Sequence, residues 1–140
     1  MKIQISKFTL LFSIVLLASC ASTQERLMDS DQDQLGLRQA QTRAYDSANK
    51  EFVMTSIIAT LQDLGFVVDS ADIDIGLVTA TKLDGYALKM SVVTRPRGQS
   101  QMIVRANAEL GLKAVSDPEP YQNFFAALSK SMFLEAHNVE

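Results

Sequence analysis

The sequence predicts an α+β domain: a two-layer sandwich in which an antiparallel sheet of three to five strands carries two helices packed on one face. Three observations predict it. Apolar residues at Val53, Ile57, Leu61 and Leu64, with Met54 and Ile58 beside them, recur at helical spacing. The stretches Tyr86–Thr94 and Gln101–Leu110 alternate apolar and polar residues, the period of strands covered on one side only. Tyr121, Phe124, Phe125, Leu128 and Met132 then form a second helical stripe.

In chain order, Arg38 to Tyr45 reads as extended, and Asp46 or Ser47 is placed to cap the helix that follows. That helix runs from Asn49 to Leu64, and Gly65 supplies a left-handed stop. Phe66-Val67-Val68 is the first strand candidate, and Asp69-Ser70-Ala71-Asp72 breaks it. Ile73-Asp74-Ile75-Gly76 leads into Leu77–Lys82, rich in β-branched residues. Asp84-Gly85 is a hairpin signal. Leu88, Met90, Val92 and Thr94 share one face of the next strand, and Arg95-Pro96-Arg97-Gly98-Gln99 reads as the turn after it. In the last long strand Met102, Val104, Ala106 and Ala108 face one way, while Gln101, Arg105, Asn107 and Glu109 face the other. Ser116-Asp117-Pro118-Glu119 has the form of a capping box with a proline in the first turn of the final helix.

Ahead of this domain the chain reads as an export signal. Lys2 and Lys7 are basic, and the apolar run from Phe8 to Leu17 is far shorter than the ~20 residues a helix needs to cross a bilayer. Leu17-Ala18-Ser19-Cys20 follows. It resembles the bacterial lipobox, in which the cysteine thiol is acylated and the chain is cut just before it. Two or three acyl chains on one residue hold a protein stably at a membrane, where a single chain does not. In lipoproteins of that type an Asp after the cysteine favours the inner membrane, so Ala21 points to the outer one. The expected organisation is a signal peptide over 1–19, a lipidated N-terminus and flexible tether over 20–37, and one periplasmic domain over 38–140. In the tether Asp29, Asp31 and Asp33 have the spacing of the first EF-hand ligands. Gln34 stands where that loop needs Gly and Ala40 where it needs Glu, so an acidic linker is the better reading.

Composition narrows the chemistry. The formal net charge is -3, and the basic leader makes the remainder more acidic still, which disfavours nucleic-acid binding. A single cysteine, Cys20, excludes an internal disulfide and a cysteine-rich metal centre, and His137 is the one imidazole. No Gly-x-Ser-x-Gly elbow and no phosphate-cradling glycine loop occurs, so the chain reads as a non-enzyme without a cofactor. Asp69, Asp72 and Asp74 could bind a cation, but Asp and Ser at turns bond their own backbone. The sharpest binding feature is Arg95-Pro96-Arg97-Gly98, read as an exposed tip, with Lys82, Lys89 and Arg105 projecting from neighbouring strands onto a shared face. Paired guanidiniums grip carboxylates and phosphates bidentately. The same charges also keep an edge strand from aggregating.

From Arg38 onward the chain resembles small lipoproteins of Gram-negative envelopes. Gln41-Thr42-Arg43-Ala44-Tyr45-Asp46, Leu61-Gln62-Asp63-Leu64-Gly65-Phe66 and Leu77-Val78-Thr79-Ala80-Thr81-Lys82 carry the likeness. The order of elements is also similar to the helix-grip modules of BamC-type accessory lipoproteins of outer-membrane protein assembly. Neither likeness implies a catalytic residue. The expected role is that of an outer-membrane lipoprotein whose periplasmic domain binds a protein partner as an accessory or scaffold. The alternative is a module that takes an anionic lipid or glycan at the basic tip.

Overall fold

The computed structural model of the protein describes residues 34–137. The leader, Cys20 and the acidic residues Asp29, Asp31 and Asp33 lie outside the described residues. The chain divides between Gly36 and Leu37, and the elements below belong to the unit from Leu37 onward. They are β1 (Thr42–Tyr45), α1 (Lys50–Asp63), β2 (Val67–Asp72), β3 (Leu77–Asp84), β4 (Tyr86–Arg97), β5 (Gln101–Leu110), β6 (Lys113–Ala114) and α2 (Glu119–His137). The strands form one antiparallel sheet in the order β1-β5-β4-β3-β2, with β6 also paired to β5. The fold is therefore α+β, as predicted, but the sheet has six strands rather than three to five. The surplus comes from short pieces sharing β5, with β1 beside Met102–Arg105 and β6 beside Glu109 and Leu110. Strands of four and two residues are too short to display a period.

α1 forms where the sequence places it, with a different cap. Asn49, not Asp46 or Ser47, is the N-cap: its side-chain oxygen accepts from the Phe52 N–H at 3.0 Å. The Ser47 hydroxyl instead accepts from the Asn49 N–H at 3.3 Å. The helix ends in a paired motif, with the Gly65 N–H donating to the Gln62 carbonyl and the Phe66 N–H to the Leu61 carbonyl. Gly65 has φ +83°, the left-handed conformation that motif requires. α2 begins at Glu119, later than the Ser116 capping box implies. The Asp117 carboxylate accepts from the Glu119 N–H at 2.9 Å, and Pro120 rather than Pro118 lies inside the helix.

Two further expectations are corrected. Residues 34–40 are helical, so the extended reading of Arg38–Tyr45 holds only from Thr42, and residues 34–37 of the expected tether are helical too. Asp69–Asp72 does not break β2. The register shifts between Val68 and Ser70, so Asp69 occupies a bulge, and its carboxylate accepts from the Thr81 hydroxyl at 2.7 Å.

The core draws on both helices and on alternate strand positions. Val53, Met54, Ile57 and Leu61 of α1 join Tyr121, Phe124, Phe125, Leu128 and Met132 of α2. Val78, Ala80, Met90, Val92, Met102, Val104, Ala106 and Ala108 complete it from the strands, as the alternation predicts. Its polar centre is Tyr121. That hydroxyl donates to the Val115 carbonyl at 2.7 Å and accepts from the Ala108 N–H and the Gln41 side-chain amide, each at 3.2 Å. One buried oxygen thereby satisfies groups from three parts of the chain, each of which would cost about 1–3 kcal/mol if buried unpaired. The network fixes the approach to β1 and the approach to α2 against β5.

Candidate functional site

Strand parity sorts the side chains into two sets. The even-numbered positions of β4 and β5 from Met90 to Ala108 feed the core, apart from the Pro96–Ser100 connection. The odd-numbered ones are half-buried or exposed on the opposite face. Arg95 lies opposite Ile103, and Arg105 lies between Val93 on β4 and Thr42 on β1. These five residues and Asn107 line an open groove of about 420 Å³. Its apolar floor is Val93 and Ile103, both half-buried, and Arg95 and Arg105 stand exposed at its sides. A diagonal pair on neighbouring strands places its Cβ atoms roughly 7–8 Å apart, within reach of one bound carboxylate or phosphate. Among the described residues no carboxylate forms an ion pair with Arg95, Arg97 or Arg105. Both groove guanidiniums are exposed.

β1 closes one side of the groove, and side chains on its core face hold it in place. The Arg43 guanidinium sits over the Phe125 ring of α2, 5.4 Å from its centre. The Tyr45 and Ser129 hydroxyls share a hydrogen bond of 3.2 Å. Burial raises the pKa of the Tyr45 phenol, opposed by the Ser129 hydrogen bond and the Arg43 charge. The phenol therefore stays neutral at physiological pH. At the turn end of the strands the Gln101 amide donates to the Asp46 carboxylate at 2.6 Å.

The five basic residues expected to share a face do not come together. Arg95 and Arg97 belong to β4 itself, paired with Ile103 and Gln101, and the turn is Gly98–Ser100. Pro96 fits because β3 pairs with β4 only as far as Val93, so no partner on that side needs its missing N–H. Lys89 is exposed on the same face, beside Glu109 and Thr81. At about 3.3 Å per residue it stands roughly 26 Å from Arg97 along β4. Lys82 shares the parity of Val78 and Ala80, on the core side, and lines a different groove of about 330 Å³ with Phe66, Leu88 and Glu119. Arg95 and Arg105 are the pair that geometry unites. Thr42, Val93 and Ile103 escape the sequence reading, although Val93 and Ile103 carried a signal: both are apolar at positions whose parity calls for polar residues.

The carboxylates of Asp69 and Asp72 bond to nearby groups of the chain. The Asp72 carboxylate accepts from the Ile75 N–H at 2.9 Å, Asp69 bonds Thr81, and the Asp74 carbonyl accepts from the Lys50 ammonium at 2.7 Å. Among the described residues no group of three or more His, Cys, Asp or Glu is arranged to hold a metal ion. His137 is the last residue of α2. The chain matches no protein-family model and no curated protein sequence.

Proposed function

We infer that the protein is a lipid-anchored accessory of the bacterial envelope that binds a partner protein through the open face of β4, β5 and β1. The observation that carries this reading is the groove itself, an apolar floor of Val93 and Ile103 between the exposed guanidiniums of Arg95 and Arg105. Arginine is enriched among binding hot spots. In this reading the two helices cover the other sheet face as the second layer of a sandwich. The anchor at Cys20 holds the domain at the outer membrane on the periplasmic side, which raises its effective concentration near membrane-bound partners. The reading is of binding rather than catalysis, because one cysteine and one histidine leave few ways to build a nucleophile and its base.

Two experiments test it. Metabolic labelling with a fatty-acid probe should mark the natural chain and not Cys20→Ala, and label on the variant contradicts the anchor. Arg95→Ala/Arg105→Ala should leave thermal stability within about 1 kcal/mol, because both residues are exposed. Capture of the partner from crosslinked native membranes should fall by about thirtyfold or more, since an interface arginine contributes ~2 kcal/mol or more. Undiminished capture contradicts the assignment of this face. An anionic glycan or lipid headgroup at the same arginines is the second reading, favoured because neither arginine has a carboxylate partner among the described residues. Competition of capture by soluble anionic glycan would reveal it.

A further inference from the structure

Large apolar side chains are exposed at one end of the sheet. Leu83 and Tyr86 flank the β3–β4 turn and are 82 % and 77 % exposed. Leu110 ends β5 and Leu112 lies in the β5–β6 turn, and they are 45 % and 100 % exposed. The two turns are neighbours, since Leu88 pairs with Leu110 and the Gly111 N–H donates to the Ala87 carbonyl at 3.2 Å. The four side chains thus form one apolar tip at the far end of β4 and β5 from the Gly98–Ser100 turn. Lys82, Lys89 and Lys113 stand on the strands just behind it. The carboxylates there are Asp84 and Glu109, with Glu119 in the groove beneath Lys82.

We propose that this tip is a membrane-insertion site, in which Leu83, Tyr86, Leu110 and Leu112 enter the interfacial region of a phospholipid bilayer while Lys82, Lys89 and Lys113 meet its phosphates. The shape favours lipid over protein. Leu112 lies in one turn, and Leu83, Tyr86 and Leu110 sit at the strand ends beside the two turns, so a fluid surface can close around them, whereas a protein would need a matching cavity. Tyrosine prefers the headgroup level, with its ring in apolar surroundings and its hydroxyl wet. Lysine stems extend along apolar surface and bring the ammonium groups to the phosphates. Exposed leucines gain from burial in hydrocarbon what core leucines gain from folding. The contact is separate from the Cys20 anchor and from the Arg95/Arg105 face, and it would fix the orientation of the domain on the membrane.

The chain has no tryptophan, so Tyr86→Trp installs a single reporter. The full chain carrying it is mixed with phosphatidylcholine vesicles that contain phosphatidylglycerol and brominated acyl chains. The emission should shift to the blue and be quenched. Ser100→Trp, at the other end of the sheet, should show neither effect. Because quenching requires the indole to reach the bromines, tethering through the anchor alone does not produce it. Adding Leu83→Asp and Leu112→Asp to the reporter chain should weaken insertion by roughly a hundredfold or more and abolish the quenching. Both residues are too exposed for the change to disturb the core. An unshifted, unquenched Tyr86→Trp signal on vesicles that carry the protein overturns the proposal, as does equal quenching of the two reporters.

Discussion

Ile57→Asp is expected to unfold the domain under conditions in which the unaltered chain is folded. Ile57 is fully buried in the middle of α1, within the core it shares with α2 and the sheet. The substitution removes its packing and places a carboxylate in the hydrophobic core. A loss of about 4–5 kcal/mol or more is expected for an unpaired buried charge, against a total stability of about 5–15 kcal/mol. The nearby Thr55→Asp supplies the contrast. Thr55 is exposed on the same helix, and its hydroxyl only bonds back to the Glu51 carbonyl. That change should stay within about 1 kcal/mol. Urea titration followed by far-ultraviolet circular dichroism separates the two. A native-like midpoint for Ile57→Asp would mean that the helix buries a different face.

Gly76→Ala should be the most damaging of the glycine substitutions. Gly76 has φ +78°, and a Cβ there would lie 2.5 Å from the Thr94 carbonyl oxygen. The approach is tight because the turn is docked on β4: the Thr94 N–H donates to the Gly76 carbonyl at 2.7 Å. Gly98 is also left-handed, at φ +64°, but a Cβ there meets nothing within 4 Å. Gly98→Ala therefore carries only the conformational cost, about 1–2 kcal/mol. Gly76→Ala carries that cost and must also push the turn off the strand, a total of about 3 kcal/mol or more. Thermal melts of the two variants test the difference, and equal losses would contradict the docking of this turn.

The helices were legible because each buries a stripe whose period is visible along many residues. The paired strands β4 and β5 were legible for the same reason, through Met90, Val92, Met102, Val104, Ala106 and Ala108. The elements legible only in part lie at the margins of the sheet: Arg38–Tyr45 reads as extended and is a strand only from Thr42, and Phe66–Val68 marks only the start of β2. β1 is four residues long and follows a helical stretch directly. The second half of β2 is written in residues of low strand propensity, and it holds because the edge tolerates polar side chains and a bulge absorbs Asp69. The placement of the basic residues is hidden from the sequence for a related reason. Pro96 looks like a turn residue, and the sequence does not reveal that β3 stops pairing at Val93 and leaves that part of β4 free to accept it. Lys82 and Lys89 looked adjacent to the arginines only while strand lengths and parity were unknown. The closeness of Arg95 and Arg105 depends on cross-strand register between positions ten residues apart, which local pattern does not encode.

The open sheet face is tested most directly by placing a photoreactive amino acid at Ile103, in the floor of the groove, in the full-length chain in living cells. A second chain carries the same group at Gln62, exposed on α1. Illumination should give a discrete adduct with one envelope protein from position 103 and none from position 62. That adduct should be lost when Arg95→Ala and Arg105→Ala are added. An Ile103 position that forms no adduct, or no more than Gln62 does, would contradict the assignment of this face as the binding surface.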